Sequence, residues 1–156
     1  MKKNKAFTLI EVLLVLVLMG IILGIAAPNF SKGYSDFQLK RTVDDLMDIS
    51  RWAQAMAVSR GHSLALVFSE DRRSYDVQQV LVNEETSEES GFKAVPGPLG
   101  RKHYIPGSVN LETNRRSIKF YSDGLIDPAT VHLGSKKQTI TLSSAVVIGR
   151  MTRVNE

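Results

Sequence analysis

No cysteine occurs anywhere in the chain, so neither a disulfide nor a thiolate-held metal can stabilise it or carry its chemistry. Internal repeats are missing, as are the glycine-rich phosphate loop and the dinucleotide glycine pattern, which removes the common nucleotide-binding classes. His62, His103 and His132 are scattered without the short spacings of a metal site. Gly61-His62-Ser63-Leu64-Ala65 superficially matches a hydrolase nucleophile elbow. It lies between an expected helix and an expected strand, the reverse of the strand-turn-helix order that presents such a serine. The chain is therefore expected to be non-catalytic, without catalytic residues, cofactor or metal. An exported hydrolase acting through Ser63 is the reading furthest from this one.

Acid is scarce at the N-terminus. Lys2, Lys3 and Lys5 supply three positive charges with no carboxylate among them, and residues 7–27 are apolar nearly throughout with Glu11 as their one charge. A helix over those residues is about 30 Å long at 1.5 Å per residue, enough to span a hydrocarbon core. The leading lysines predict a cytoplasmic N-terminus and an exported remainder. A secretory signal peptide with cleavage near Ala26 and Ala27 is the competing reading, but the apolar run is too long for one and contains an acid. The formal net charge is +4, and removing the three leading lysines leaves +1, so the basic balance is not a nucleic-acid signature.

Pro28 lacks an N–H and obstructs the preceding turn, which predicts a kink or local break there. From Asp36 to Arg60 apolar residues, including Phe37, Leu39, Val43, Leu46, Ala53 and Ala57, recur at three- and four-residue steps. This outer half-helix should lay one face on a sheet and end at Gly61. The period then becomes two. Strands are expected over 63–69, 75–82, 117–121, 130–133, 139–142 and 145–154, the first two forming a hairpin around Asp71-Arg72-Arg73-Ser74. Pro96-Gly97-Pro98, Pro106-Gly107 and Ser122-Asp123-Gly124 mark turns. Residues 83–90 hold Glu84, Glu85, Glu88 and Glu89. A calcium site there lacks the ordered ligand ladder of a known loop, and a solvated hairpin tip is the simpler reading. One long helix followed by strands is the α+β class.

The basic leader ending at Ala6, the run Phe7-Thr8-Leu9-Ile10-Glu11, the apolar helix and Pro28 resemble the N-terminus of type IV pilins and type II secretion pseudopilins. The LALVF strand, the proline-glycine loop, Phe120-Tyr121-Ser122-Asp123-Gly124 and the VVIGR ending extend the resemblance to the GspH/FimT group of minor pseudopilins and minor pilins. It implies a pilin-like fold, with a leader over 1–6, a transmembrane and filament-core helix over 7–27, an outer half-helix over 28–60 and a β-rich periplasmic domain over 61–156. Prepilin peptidase would cut between Ala6, standing where the family usually has glycine, and Phe7, which would then be N-methylated. Glu11 would face the new amine during assembly. The implied role is that of a type II secretion minor pseudopilin of the H type in the bacterial inner membrane. Its partners would be major and other minor pseudopilins, the inner-membrane secretion platform and, before assembly, membrane lipid. The alternative is a type IV minor pilin in pilus priming or DNA uptake, with nucleic acid contacted through Arg150 and Arg153.

On a strand, alternation sends Arg150 and Thr152 to one face and Met151 and Arg153 to the other. Lys119, Arg115, Arg116, Lys136 and Lys137 could join the arginines in a patch, although edge charges that discourage strand pairing explain them more simply. Removing one member of a buried ion pair costs about 3–5 kcal/mol. Glu11→Ala is therefore expected to weaken filament assembly while export continues; normal incorporation of the variant would contradict the role given to Glu11.

Overall fold

The computed structural model describes residues 8–83, 89–147 and 150–154. Helix α1 runs over Leu9–Arg60 and is followed by β1 (Leu64–Phe68), β2 (Ser74–Val82), β3 (Glu89–Ala94), β4 (His103–Tyr104), β5 (Asn110–Thr113), β6 (Ser117–Phe120), β7 (Thr130–Gly134), β8 (Thr139–Val147) and β9 (Arg150–Val154). The fold is α+β, an N-terminal helix packed on antiparallel sheets.

Helical backbone continues through Pro28, so of the kink or local break expected there no break occurs. A single proline removes one hydrogen bond and crowds one carbonyl, and long helices absorb such a site by bending rather than ending. Gly61, at φ 67, terminates the helix with the left-handed conformation that glycine adopts without a Cβ penalty. The chain divides into two compact units, one up to Tyr34 and the other from Ser35 onward.

In the first unit, the described large apolar residues of the helix, from Leu9 to Leu23, are 44–85% exposed. Apolar side chains thus surround the helix on every side, whereas a surface helix of a globular protein has one apolar stripe. Among the described residues no helix is long and apolar enough to cross a membrane; in the sequence the apolar run continues to Ala27.

In the second unit, Leu39, Val43, Leu46, Ser50, Ala53 and Ala57 are at most 2% exposed. Their alternating steps of four and three place them on one stripe. The stripe narrows from leucine and valine to serine and alanine, so the backbone can approach the strands closely near Ser50. That serine donates to the Leu46 carbonyl at 2.7 Å and lies 3.5 Å from Met151 Sδ of β9, so its buried hydroxyl is satisfied within the helix.

Two antiparallel sheets share the core beside this stripe. The first has the order β3-β2-β1-β6, with β4 also paired to β2; the second has the order β5-β7-β8-β9. Leu64, Leu66 and Phe68 of β1 lie beside Ile118 and Phe120 of β6 and Tyr75 and Val77 of β2 in the core. In the second sheet Leu111, Val131, Leu133, Ile140, Leu142 and Met151 face inward. The strands expected from alternation are present, with one change: the segment expected over 145–154 is divided between the end of β8 and β9. Beta8 continues through Ser143 and Ser144 because the Ser144 hydroxyl donates to the Asp127 carbonyl at 2.6 Å and accepts from Ala129 N–H at 2.9 Å. Strands β3, β4 and β5 were not expected from the sequence.

Phe120 is fully buried, and truncating a buried phenylalanine costs about 3–5 kcal/mol through lost burial and the cavity left behind. Phe120→Ala is expected to lower stability by that amount in denaturant unfolding followed by Trp52 fluorescence. Lys136→Ala, at an exposed turn, is expected to stay within about 0.5 kcal/mol of the parent.

Candidate functional site

The candidate site at the N-terminus begins where the helix begins. Ala6 and Phe7 lie outside the described residues. Thr8 precedes the helix and accepts, through its carbonyl, from Glu11 N–H at 3.1 Å and Val12 N–H at 3.3 Å. Its hydroxyl oxygen lies 3.4 Å from the same Glu11 N–H. Thr8 is thus the N-cap, and Thr8-Leu9-Ile10-Glu11 has the Ser/Thr-x-x-Glu spacing of a capping box. That spacing is visible in the sequence, within the run that carries the leader resemblance. Glu11 is exposed in the first turn, where a carboxylate meets the positive end of the helix dipole. Its position is therefore at the apolar helix's entrance and not in its middle.

The basic residues do not form one patch. Arg150 lies opposite Val147 and Arg153 opposite Leu142 in the β8–β9 pairing. Met151 between them is buried, so alternation sends the two exposed arginines to opposite faces of β9. Neither makes a side-chain hydrogen bond or ion pair among the described residues. Arg115 and Arg116 follow β5 at the other edge of the second sheet, with β7 and β8 between. That separation is about 14 Å at 4.7–4.9 Å per strand. Lys136 and Lys137 occupy the β7–β8 turn, where Lys137 is 3.8 Å from Asp36 of the helix.

What the structure does bring together is Arg115, Arg116 and Lys119, around a shallow concavity of about 450 Å³ that Asp127 also lines. A second hollow of about 260 Å³ lies on the other side of the Asn114–Arg116 turn, bordered by Phe68, Glu70 and Arg72. Lys119 pairs with Glu89 at 2.5 Å across the outer face of the first sheet. That hydrogen bond is the main reason its ammonium is held above the usual lysine range. Tyr121, whose hydroxyl donates to Asp127 at 3.0 Å, is raised first by burial and then by that bond.

The histidines are separate. His62 is exposed at the end of the helix, His132 Nδ1 is 2.9 Å from the Thr141 hydroxyl, and His103 stacks on Tyr75 with ring centroids 5.3 Å apart. Among the described residues no group of three His, Cys, Asp or Glu side chains could hold a metal ion.

A search of curated proteins gives no sequence match. Residues 1–27 match the prokaryotic N-terminal methylation motif. The structure is similar to that of the minor pseudopilin EpsH from the type 2 secretion system of Vibrio cholerae, with a TM-score of 0.59 and 12% identity, covering 75% of this chain and 96% of that one. The fold is pilin-like. Similarity to the type IV minor pilin FimU of Pseudomonas aeruginosa gives a TM-score of 0.57 at 16% identity over 77% of this chain and 90% of that one. A second crystal form of FimU gives 0.54 at 18% identity over 74% and 92%. The motif over residues 1–27 thus precedes a pilin-like fold shared with EpsH and FimU.

Within the pilin-like domain the Tyr75 phenol is pushed above its ordinary value of 10.0, first by burial and then by the charge of Asp45. The folded state therefore holds this proton more tightly than the unfolded chain does, so stability is intact below about pH 10 and falls as pH rises further. Unfolding midpoints measured across that window are expected to drop steeply for the parent and less steeply for Tyr75→Phe.

Proposed function

We propose that the chain is a minor pseudopilin of a type II secretion system, of the H type. It is a non-catalytic subunit anchored in the inner membrane by residues 7–27, with the strand-rich domain on the periplasmic side. The observation that carries this reading is the methylation motif over residues 1–27 standing directly before a pilin-like α+β fold. A helix that is apolar on every side serves two environments in turn, lipid before assembly and the packed helices of a filament afterwards. Cleavage between Ala6 and Phe7 would create an amine before the helix, and Glu11 in its first turn would offset that charge. Prepilin peptidase, the other pseudopilins and the inner-membrane platform are the partners this reading assigns.

The similarity to FimU supports a second reading of the same architecture, a type IV minor pilin that primes a pilus or contacts DNA. Arg150 and Arg153, on opposite faces of β9, favour no two-arginine clamp within the strand, and the pseudopilin reading needs none.

Crosslinking in the native membrane followed by mass spectrometry tests both readings in one run. Recovery of pseudopilins and secretion-platform proteins with an N-methylated Phe7 is expected. Pilus subunits with a retraction motor would move the protein to the pilus reading, and an unprocessed N-terminus would overturn the assignments of Ala6 and Phe7.

A further inference from the structure

The strand-rich unit begins at Ser35, and the apolar run ends at Ala27. Helical backbone covers the residues between them, so the chain path from Ala27 to Asp36 measures about 14 Å at 1.5 Å per residue. Headgroups take up about 5–7 Å beyond the hydrocarbon edge. With residues 7–27 in a membrane, as the proposed function has them, Asp36 therefore lies at most about 8 Å beyond the headgroups whatever the tilt. That is about one Debye length at physiological salt, so charges grouped here feel a charged lipid surface.

Cations are grouped at this point. Asp36 accepts from the Ser135 hydroxyl at 3.0 Å, and the same Ser135 oxygen accepts from Lys137 N–H at 3.3 Å and Gln138 N–H at 3.4 Å. Ser135 N–H also donates to the Gln138 carbonyl at 2.8 Å. The β7–β8 turn is thus fixed to the start of the outer helix, with exposed Lys136 at its tip. Lys137, 54% exposed, is 3.8 Å from Asp36, while Lys40 and Arg41 are exposed about one turn farther along the helix. Lys40, Arg41 and Lys136 make no side-chain hydrogen bond or ion pair among the described residues.

Acid is nearly missing from the same end. The loop over 106–109, tied to the helix by the Ser108 hydroxyl donating to Gln38, is uncharged. Asp36 is the one carboxylate beside the turn and faces Lys137; Asp44 and Asp45 come about two helical turns later. Between Glu11 and Asp36 the sequence has a single charge, Lys32. Phe37, 60% exposed beside these cations, offers an apolar ring of the kind that interfacial segments bury.

We infer that the β7–β8 turn, through Lys136 and Lys137 with Lys40 and Arg41 beside it, rests on the phosphates of anionic lipid headgroups before assembly. The inference rests on the membrane-anchored reading of residues 7–27. Lipid is the fitting partner because the anchor already holds these cations within reach of the headgroup layer, an advantage that no freely diffusing polyanion has. Leaving the membrane then means breaking this surface contact as well as extracting the helix.

The absence of cysteine lets a single fluorophore be attached at Asn110→Cys, an exposed position opposite Gly134 at the start of the turn. The full-length chain is placed in phosphatidylcholine nanodiscs with or without phosphatidylglycerol, and quenching by nitroxide-labelled headgroups is measured. Stronger quenching with phosphatidylglycerol, fading as salt is added, is expected. Lys136→Gln with Lys137→Gln should weaken docking about 25-fold, roughly fivefold for each lysine near an anionic surface, whereas arginine at both positions should retain it. A fluorophore at Ser122→Cys, in the exposed turn after β6, should respond equally in both lipids. Equal quenching of the Asn110 probe in both lipids, in a chain that resists alkaline extraction, would overturn the inference and leave the anchored reading standing. Lipid-dependent quenching that survives the double glutamine variant, or appears equally at Ser122, would overturn the assignment to this turn. Release of the chain by alkaline extraction would overturn the anchored reading and the inference with it.

Discussion

One helical stripe is the constraint on which the domain depends. Leu39, Val43, Leu46, Ser50, Ala53 and Ala57 form the side of α1 that both sheets bury. Neither sheet could close a core on its own: each has one apolar face, and burying a face requires a second layer. Polar contacts fix the same arrangement at both ends. Asp36 accepts from Ser135 at 3.0 Å at the start of the outer helix, while Gln54 donates to the Gly124 carbonyl at 2.7 Å near its end. The helix is thus held against the β7–β8 turn and the turn after β6, and the apolar stripe between these points faces the strands.

Much of this was legible in the sequence because it rests on periodicity. Three- and four-residue steps identified the outer helix, and alternation found β1, β2, β6, β7 and the first half of β8. The missed elements lack that signal. Strand β3, with the sequence ESGFKA, is exposed or half-buried throughout and is ordered by pairing with β2. Beta4 is only two residues long, and β5 offers one buried residue, Leu111. In β8, Ser143 and Ser144 fall between the two strands expected from alternation; the Ser144 hydroxyl finds its partners at Asp127 and Ala129, a tertiary fact invisible to local pattern.

The candidate sites divide the same way. Thr8 and Glu11 carry a local capping signal that the sequence states outright, so the entrance of the helix could be read without coordinates. The grouping of cations could not. Arg115 and Arg116 seemed to belong with Arg150 and Arg153 as one basic population, yet sheet order places two strands between them. Arg72, distant in sequence, becomes their neighbour because the β1–β2 turn returns to the start of β6.

Met151 comes from the last strand and packs into the core against Ser50, 101 residues earlier in the chain. Contacts of such sequence separation make a domain slow to close, since long loops must be ordered before their reward is collected. The order of synthesis sharpens the effect. Every residue of the inner stripe emerges before its β9 partner exists, so the stripe must wait, apolar and uncovered, until β9 has been made. The consequence is a window of vulnerability in the life of each molecule, in which the outer helix is a target for chaperones, proteases or premature association until β9 arrives.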